Sequence, residues 1–400
     1  MKRLLQINTT VGRTAPGLIA DEIDRLATAA GWECHMAYGR PGPVADDFDP
    51  ATRHRLVSIF SVSWHGAMTR VADRHGLHSA GPTRRLIALI KDLRPDVIQL
   101  HNIHGYFLHY PLLFSYLRES RIPVTWTLHD LWPLTGHCAF FDAGGCAGLA
   151  RGCVDCTRTD SYPGCWFKGR AAANFRTKKE SFVGLDRLHI VAVSQWVADC
   201  LPGSILGSYP ATVITNGIDI PAISRPEVSG RPLALGVAYK WDERKGLADF
   251  IELRRLLPDR WRMRLIGLSR RQAAALPEGI EGIGRVGSID ELRRHYAEAS
   301  VLVSLSHGET LGMVSLEAQA CGTPVVMYAV GGCPETIAHD TGIAVGAGDV
   351  AAIARAVEAV VADTRRFSPE ACRANVAARF DRAVNFSKYI DLYESLAAGL

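Results

Sequence analysis

The chain has 400 residues, too many for one ordinary core and a natural length for two domains. Apolar residues make up 48% and charged ones 22%, the balance of an ordinary soluble protein with ample material for cores. The net charge of +4 admits phosphate-bearing ligands or an anionic membrane surface and is far too weak to argue for nucleic acid.

The opening MKRLLQINTT is basic but turns polar after a few scattered apolar residues. A signal peptide needs an apolar run of ~7–15 residues and a spanning helix about 20, so the expected location is cytoplasmic. In a reducing compartment the ten cysteines are expected as free thiols or metal ligands rather than disulfides. Leu4 to Ile7 reads as a strand. Helical spacing follows at Ile19, Ile23, Leu26 and Ala30, closed by Gly31, and then comes the alternating WECHMAYG. DVIQLHN, PVTWTLHD and HIVAVS read as further strands.

After Ile220 the pattern begins again. PLALGVA reads as a strand, KGLADFIELRRLL as a helix and WRMRLIGL as a strand. SIDELRRHYAEAS carries a Ser288/Glu291 capping box, VLVSLS is a strand, a helix runs from Met313 to Ala320, and PVVMY is a buried strand. Strands alternating with helices predict parallel sheets with right-handed crossovers, hence an α/β chain of two Rossmann-like, doubly wound domains. The join falls in NGIDIPAISRPEVSGRP, rich in Pro, Gly and Ser. The expected division is 1–220, then 221–378, with a closing helix over 379–400 that puts Phe386, Tyr389, Ile390 and Tyr393 on one side and packs back on the first domain.

In an open parallel sheet, ligands sit beyond the carboxyl ends of strands, at helix N-termini. SHGETLGMVSLEAQACGTPVV has that placement. The amides of Thr310, Leu311, Gly312 and Met313 can face a diphosphate, with glycine allowing close approach. Glu309 and Glu317 suit hydroxyls, since a carboxylate accepts two hydrogen bonds from a diol; alternatively they cap and solvate the helix. AYKWDERKG supplies Lys240, Arg244 and Lys245 at a strand-to-helix turn, as an opposing cationic wall or as a solvated turn. TTVGRTAPGL is not a dinucleotide fingerprint, which counts against a nicotinamide enzyme, but Gly12 and Gly17 after the first strand can let backbone approach the donor's phosphate, or else form an ordinary loop. His129 and Asp130 stand at a strand's carboxyl end. Cys138, Cys146, Cys153 and Cys156, in a Gly-rich loop over 138–165, have a C-x2-C end that suits a structural zinc ion as well as free thiols.

Taken together, these stretches resemble the nucleotide-sugar glycosyltransferases of family 4, whose GT-B architecture sets two Rossmann-like domains facing a cleft. The resemblance rests on the glycine loop, TLHD, VSQW at Ser194, NGID at Asn216, RKG at Arg244 and the Glu309/Glu317 pair, and it spans nearly the whole chain. LHNIHGYFLHYPLLF and WTLHDLWPLTGHCAFFDAGGCAGLARGCVDC look like transferases of the colanic-acid type, which build capsule and exopolysaccharide repeat units. The resemblance implies a retaining transferase that moves a sugar from a UDP- or GDP-sugar to a saccharide, usually lipid-linked. It implies that Glu317 holds the nucleotide ribose, that Glu309 and His129 lie by the donor sugar, and that Lys245 holds the phosphates. The usual partner arginine falls on Lys240, so Lys240 or Arg244 must supply the second cation. No cofactor is required for transfer. Competing expectations are a GT-B epimerase, a phosphorylase, or a zinc-stabilised scaffold of a polysaccharide assembly complex that binds partners without turnover. A peripheral membrane contact is expected through FKGRAAANFRTKKESF, where Lys168, Arg170, Arg176, Lys178 and Lys179 interleave with Phe167, Phe175 and Phe182, or else those aromatics pack inward.

Overall fold

The computed structural model describes all residues except 13, 42–48, 50, 141–145, 147–148, 150, 155, 157–161, 168, 224–229 and 400. It divides into two compact units, Met1–Thr215 with Asn385–Leu400, and Asn216–Val384.

The first unit is built on seven strands, β1 (Arg3–Val11), β2 (Glu33–Pro41), β3 (Arg53–Arg55), β4 (Val97–Leu100), β5 (Val124–Leu128), β6 (Leu188–Ala192) and β7 (Ala211–Val213). They form one parallel sheet in the order β3-β2-β1-β4-β5-β6-β7. Helices cover both faces, which is why the central strands read as near-continuous apolar runs. On one face Phe114, Trp126, Trp132 and Phe182 cluster, with the Phe114 and Phe182 rings 4.6 Å apart. On the other, Ile19, Ile23 and Ala27 of the helix Thr14–Ala29 meet Phe386, Tyr389 and Tyr393 of the helix Arg382–Ala398 over Leu4, Val97 and Val191. The end of the chain is therefore part of the first unit's core. Burying each of those three aromatics contributes roughly 2 kcal/mol, and the Tyr393 hydroxyl donates to Gln99 Oε1 at 3.0 Å so that its polar end is satisfied too.

The second unit repeats the plan with β8 (Leu233–Val237), β9 (Arg262–Ile266), β10 (Ile280–Ile283), β11 (Val301–Ser304), β12 (Val325–Tyr328) and β13 (Gly342–Val345), parallel in the order β10-β9-β8-β11-β12-β13. In each sheet the strand order reverses beside its first strand, at β1/β4 and at β8/β11, and crevices open at such reversals. The four edge strands β3, β7, β10 and β13 have no counterpart among the strands expected from the sequence. Ser288 caps the helix Ile289–Glu298 by accepting from the Glu291 amide at 3.1 Å, but Glu291 reaches back to the amide of Gly287, at 2.8 Å, rather than to that of Ser288, so the capping box is displaced by one residue.

The stretch from Phe167 to Phe182 corrects one expectation. It folds into the helix Ala171–Phe182, which buries Lys178 and Phe182 and half-buries Phe175, leaving Phe167, Arg170, Arg176 and Lys179 exposed. Lys168 lies outside the described residues. The aromatics pack inward along most of this helix, so it is not a continuous docking face.

Candidate active site

In the second unit, the turn after β8 and the turn after β11 stand on the two sides of the β8/β11 reversal. A main-chain bond stitches them together: the amide of His307 donates to Arg244 O at 2.7 Å. That brings Lys245 and Arg244 onto one carboxylate. Lys245 Nζ and Arg244 Nη1 both donate to Glu309 Oε1, the latter at 3.2 Å, and Ser306 Oγ donates to it at 2.9 Å. Burial pushes the Glu309 carboxyl up, but Lys245 and Arg244 outweigh it and hold it below the ordinary range. Lys240 is exposed on the same loop, so Arg244 is the second cation at Glu309.

Directly after Glu309 come the buried Thr310 and Leu311, and then Gly312 at φ +91° as the N-cap of the helix Met313–Ala320. A Cβ on Gly312 would stand 2.9 Å from Cys333 Sγ, so both conformation and space require glycine there. Gly331 is equally fixed, because a Cβ would lie 1.8 Å from the carbonyl oxygen of Glu309. The helix has no side-chain cap, and its first amides and positive dipole end are available to an anion. One turn on, Glu317 is half-buried and its Oε2 accepts from the Tyr296 hydroxyl at 2.6 Å. Burial raises its pKa, while that hydrogen bond opposes the rise. The two glutamates are thus chemically different: Glu309 is held by cations, and Glu317 by a neutral donor.

In the first unit, His129 follows β5 and His101 follows β4, and their rings stack 5.3 Å apart at 19°. Gln6 directs its amide Nε2 at Ala20 O (2.9 Å), which turns Oε1 toward His101 Nε2, also at 2.9 Å. His101 therefore carries its proton on Nε2 and accepts at Nδ1 from His129 Nε2, 3.0 Å away. This chain leaves His129 Nδ1 an acceptor. Burial lowers the His129 pKa to about 4 and that of His101 well below the ordinary value, so both rings are neutral at pH 7. Asp130 accepts from His104 Nε2 at 2.8 Å and from the amide of Trp132 at 3.0 Å. Gly17 lies in the first turn of its helix, where a Cβ would sit 3.0 Å from Thr10 Oγ1; it serves close packing of that helix on the end of β1.

Among the cysteines, Cys138 and Cys153 are buried, Cys146 and Cys156 half-buried, and all are reduced. The Cys153 sulfur accepts from the amide of Gly136 at 3.1 Å. Among the described residues, the ligand atoms gathered within 4.8 Å of one another are those of Asp73, His137 and Cys165, not the four thiols. Beside them is a group that sequence reading assigned to the surface. Lys178 Nζ is buried, donates to the carbonyls of Trp132 (2.6 Å) and Thr135 (2.8 Å), and lies 3.5 Å from the centre of the Trp132 ring. The sequence also gave no warning of Ser306, Tyr296, Gln6 and His101. Each is an ordinary strand, strand-end or helix residue whose role depends on what folding brings beside it.

Comparison with known proteins follows this geometry. A profile for Glycosyl transferases group 1 matches residues 232–363, and one for Glycosyltransferase Family 4 matches 19–221, more than half of the 400 residues. WcaC of Escherichia coli (strain K12), named as a colanic acid biosynthesis glycosyl transferase, is 26% identical over 231 residues, covering 54% of this chain and 55% of WcaC. A D-inositol 3-phosphate glycosyltransferase of Geodermatophilus obscurus is 40% identical over 113 residues, 28% of this chain and 25% of that one. The chain thus spans about half the length of WcaC and a quarter of the second relative. Among solved structures, sucrose-phosphate synthase from Thermosynechococcus elongatus superposes with a TM-score of 0.71 at 18% identity, each chain covered in full. HepE of Anabaena, solved in complex with UDP, gives 0.69 at 16% identity over 99% of this chain and 100% of its own. The two parallel sheets are those of the GT-B glycosyltransferases, and the chain belongs to Glycosyltransferase Family 4.

Proposed function

We propose that this chain is a retaining glycosyltransferase that moves a hexosyl group from a nucleotide-diphosphate sugar to a saccharide acceptor, lipid-linked, in capsule or exopolysaccharide synthesis. The observation that carries the reading is the convergence of Lys245, Arg244 and the Gly312 helix end at the β8/β11 reversal, a site for two negative phosphates. Anabaena HepE, of the same fold, has been solved with UDP and with UDP-glucose. The name of WcaC supports the polysaccharide context.

In this scheme the acceptor hydroxyl attacks the anomeric carbon on the face that the diphosphate leaves. The carbon–oxygen bond to phosphate breaks as the new glycosidic bond forms, and the acceptor's proton passes to the departing phosphate. Charge builds on the leaving group, where Lys245, Arg244 and the amides of Gly312 and Met313 stabilise it. These cations supply the counter-charge, so the scheme calls for no divalent metal. Glu317 accepts from the ribose hydroxyls, and Glu309, once the diphosphate takes over its cations, is released toward the donor sugar. A histidine with a pKa near 4 is a poor proton acceptor at neutral pH. His129 is accordingly assigned a place beside the donor sugar rather than proton abstraction.

A structural zinc ion on Cys138, Cys146, Cys153 and Cys156 belongs to the same proposal. Its support is that Cys146, Cys153 and Cys156 all act electrostatically on the Cys138 thiol, and that Lys178, whose pKa burial lowers to about 7, lies beside Cys138 and Cys153, where zinc-bound thiolates would favour its charged form. Metal analysis of freshly purified, reduced protein is expected to find about one zinc per chain, lost in Cys153→Ser. The transferase reading is tested by a thermal-shift panel of UDP- and GDP-sugars. One donor should raise the melting temperature of the wild type and not of Glu317→Ala; no response to any donor would refute the reading.

A further inference from the structure

The helix Ile59–Ala72 is packed inside out. Its buried positions are the polar His65 and Thr69, while Ile59, Phe60, Trp64 and Val71 are 68%, 82%, 65% and 45% exposed. At 100° per residue, Phe60, Trp64, Ala67, Arg70 and Val71 fall on one outward stripe, and the exposed Arg74 follows just past the helix end. The rotation of the helix is fixed from within. His65 Nε2 accepts from the amide of Gly76 at 3.1 Å, so its Nδ1 carries the proton and donates to Ser79 Oγ at 2.7 Å, and Thr69 Oγ1 donates to His65 O at 2.9 Å. Turning the aromatics inward would break the two bonds of His65, to Gly76 and Ser79, which lie outside the helix.

A second segment extends the stripe. The amide of Trp166 donates to Arg70 O at 2.8 Å, and that of Arg170 to Asp73 Oδ2 at 2.9 Å, which anchors Trp166 and Phe167 at the end of the helix with 68% and 64% exposure. Every exposed Trp and Phe among the described residues lies in this patch. Apolar surface concentrated in this way marks an interaction site. The patch itself is basic: Arg55, Arg70, Arg74 and Arg170 are exposed, and the one acid within 51–74 and 162–179, Asp73, is buried, the exposed Asp49 and Glu180 lying just outside these stretches.

We infer that this face, formed by the helix Ile59–Ala72 with Trp166 and Phe167, is a docking surface for an anionic phospholipid bilayer. Phe60, Trp64, Trp166 and Phe167 would enter the headgroup–acyl boundary and the arginines would meet lipid phosphates. The surface gives the proposed lipid-linked acceptor a physical address, and to that extent it rests on the transferase reading; the bilayer contact itself is measured without donor or acceptor, so the two can fail separately.

The test is sedimentation of the full chain with vesicles of phosphatidylcholine alone or enriched in phosphatidylglycerol. Binding is expected only to the anionic vesicles and should fall as salt rises. Phe60→Ser with Trp64→Ser, and separately Arg70→Glu with Arg74→Glu, should each weaken it about tenfold or more, with melting temperature and far-UV dichroism unchanged because these side chains face solvent. Wild-type protein that stays in the supernatant with anionic vesicles at low salt overturns the proposal. So does a concentration-dependent dimer that Trp64→Ser dissolves, which would make a second copy the occupant.

Discussion

The two units carry one fold and opposite electrostatics. At the strand ends of the second unit a half-buried carboxylate keeps its charge because Lys245 and Arg244 share it. At the strand ends of the first, His129 and His101 are stripped of charge by burial and linked as a neutral chain to Gln6. Desolvation acts on both places alike: Lys245 and Arg244, bonded to Glu309, outweigh it there, whereas at His129 it outweighs the opposing pull of Asp130. Under the proposed function, the pairing suits a unit that meets a diphosphate, and the neutral chain suits one that holds hydroxyls.

Removing a cation tests this contrast most severely. Lys245→Ala should lower kcat/KM by about 100-fold or more, the scale of losing one charge-stabilising group, whereas His129→Ala should lower turnover with little change in donor affinity. A Lys245→Ala enzyme of normal rate in steady-state kinetics would dissolve the site.

The next effect appears in acid. His129 titrates near 4 in the folded chain against ~6.5 unfolded, and His65 near 3. The unfolded state binds more protons in that window, so the stability from keeping His129 neutral is complete above pH ~6.5 and is lost as pH falls toward 4, up to about 3 kcal/mol. The second unit's histidines, His295, His307 and His339, are half-buried or exposed. Hydrogen exchange near pH 5 and near pH 7.5 should show protection lost first in β4 and β5. Equal loss in both units would break the comparison.

Glu309→Gln sharpens it from the other side. Glu309 is paired with both cations that the proposed diphosphate would take. The neutral amide should tighten binding of free UDP or GDP about three- to tenfold, the yield of roughly 1 kcal/mol, while slowing transfer; unchanged or weaker nucleotide binding by calorimetry would show that Glu309 does not compete. The smallest effect is expected at Tyr296→Phe. Losing its hydrogen bond to Glu317 should cost about 0.5–1.5 kcal/mol of nucleotide affinity, and more at low pH, because the Glu317 carboxyl then rises further. An affinity loss independent of pH would show that the hydroxyl acts by packing alone.

The strands legible in the sequence were the central ones, from β1 to β12, and the four that escaped, β3, β7, β10 and β13, are the edges of both sheets. A strand buried on two faces must be a run such as VVMY, whereas an edge can be as short and polar as the RHR of β3. The same asymmetry governed the surface. Lys178 has the sequence of a solvated lysine and the position of a core residue, while Trp64 has the sequence of a core residue and faces solvent.

By itself, the sequence determined the two α/β repeats, the glycine at the helix mouth and the cationic turn, because periodicity, backbone permissiveness and strand-end placement are local properties. Only the tertiary structure decided that Arg244 rather than Lys240 meets Glu309, that Tyr296 holds Glu317, and that His101 and Gln6 set the tautomer of His129. Those pairings join residues 65, 21, 28 and 95 positions apart. Which side chain arrives beside which across such distances is set by sheet order and by helix rotation, and both are fixed by packing that no short window of the chain contains.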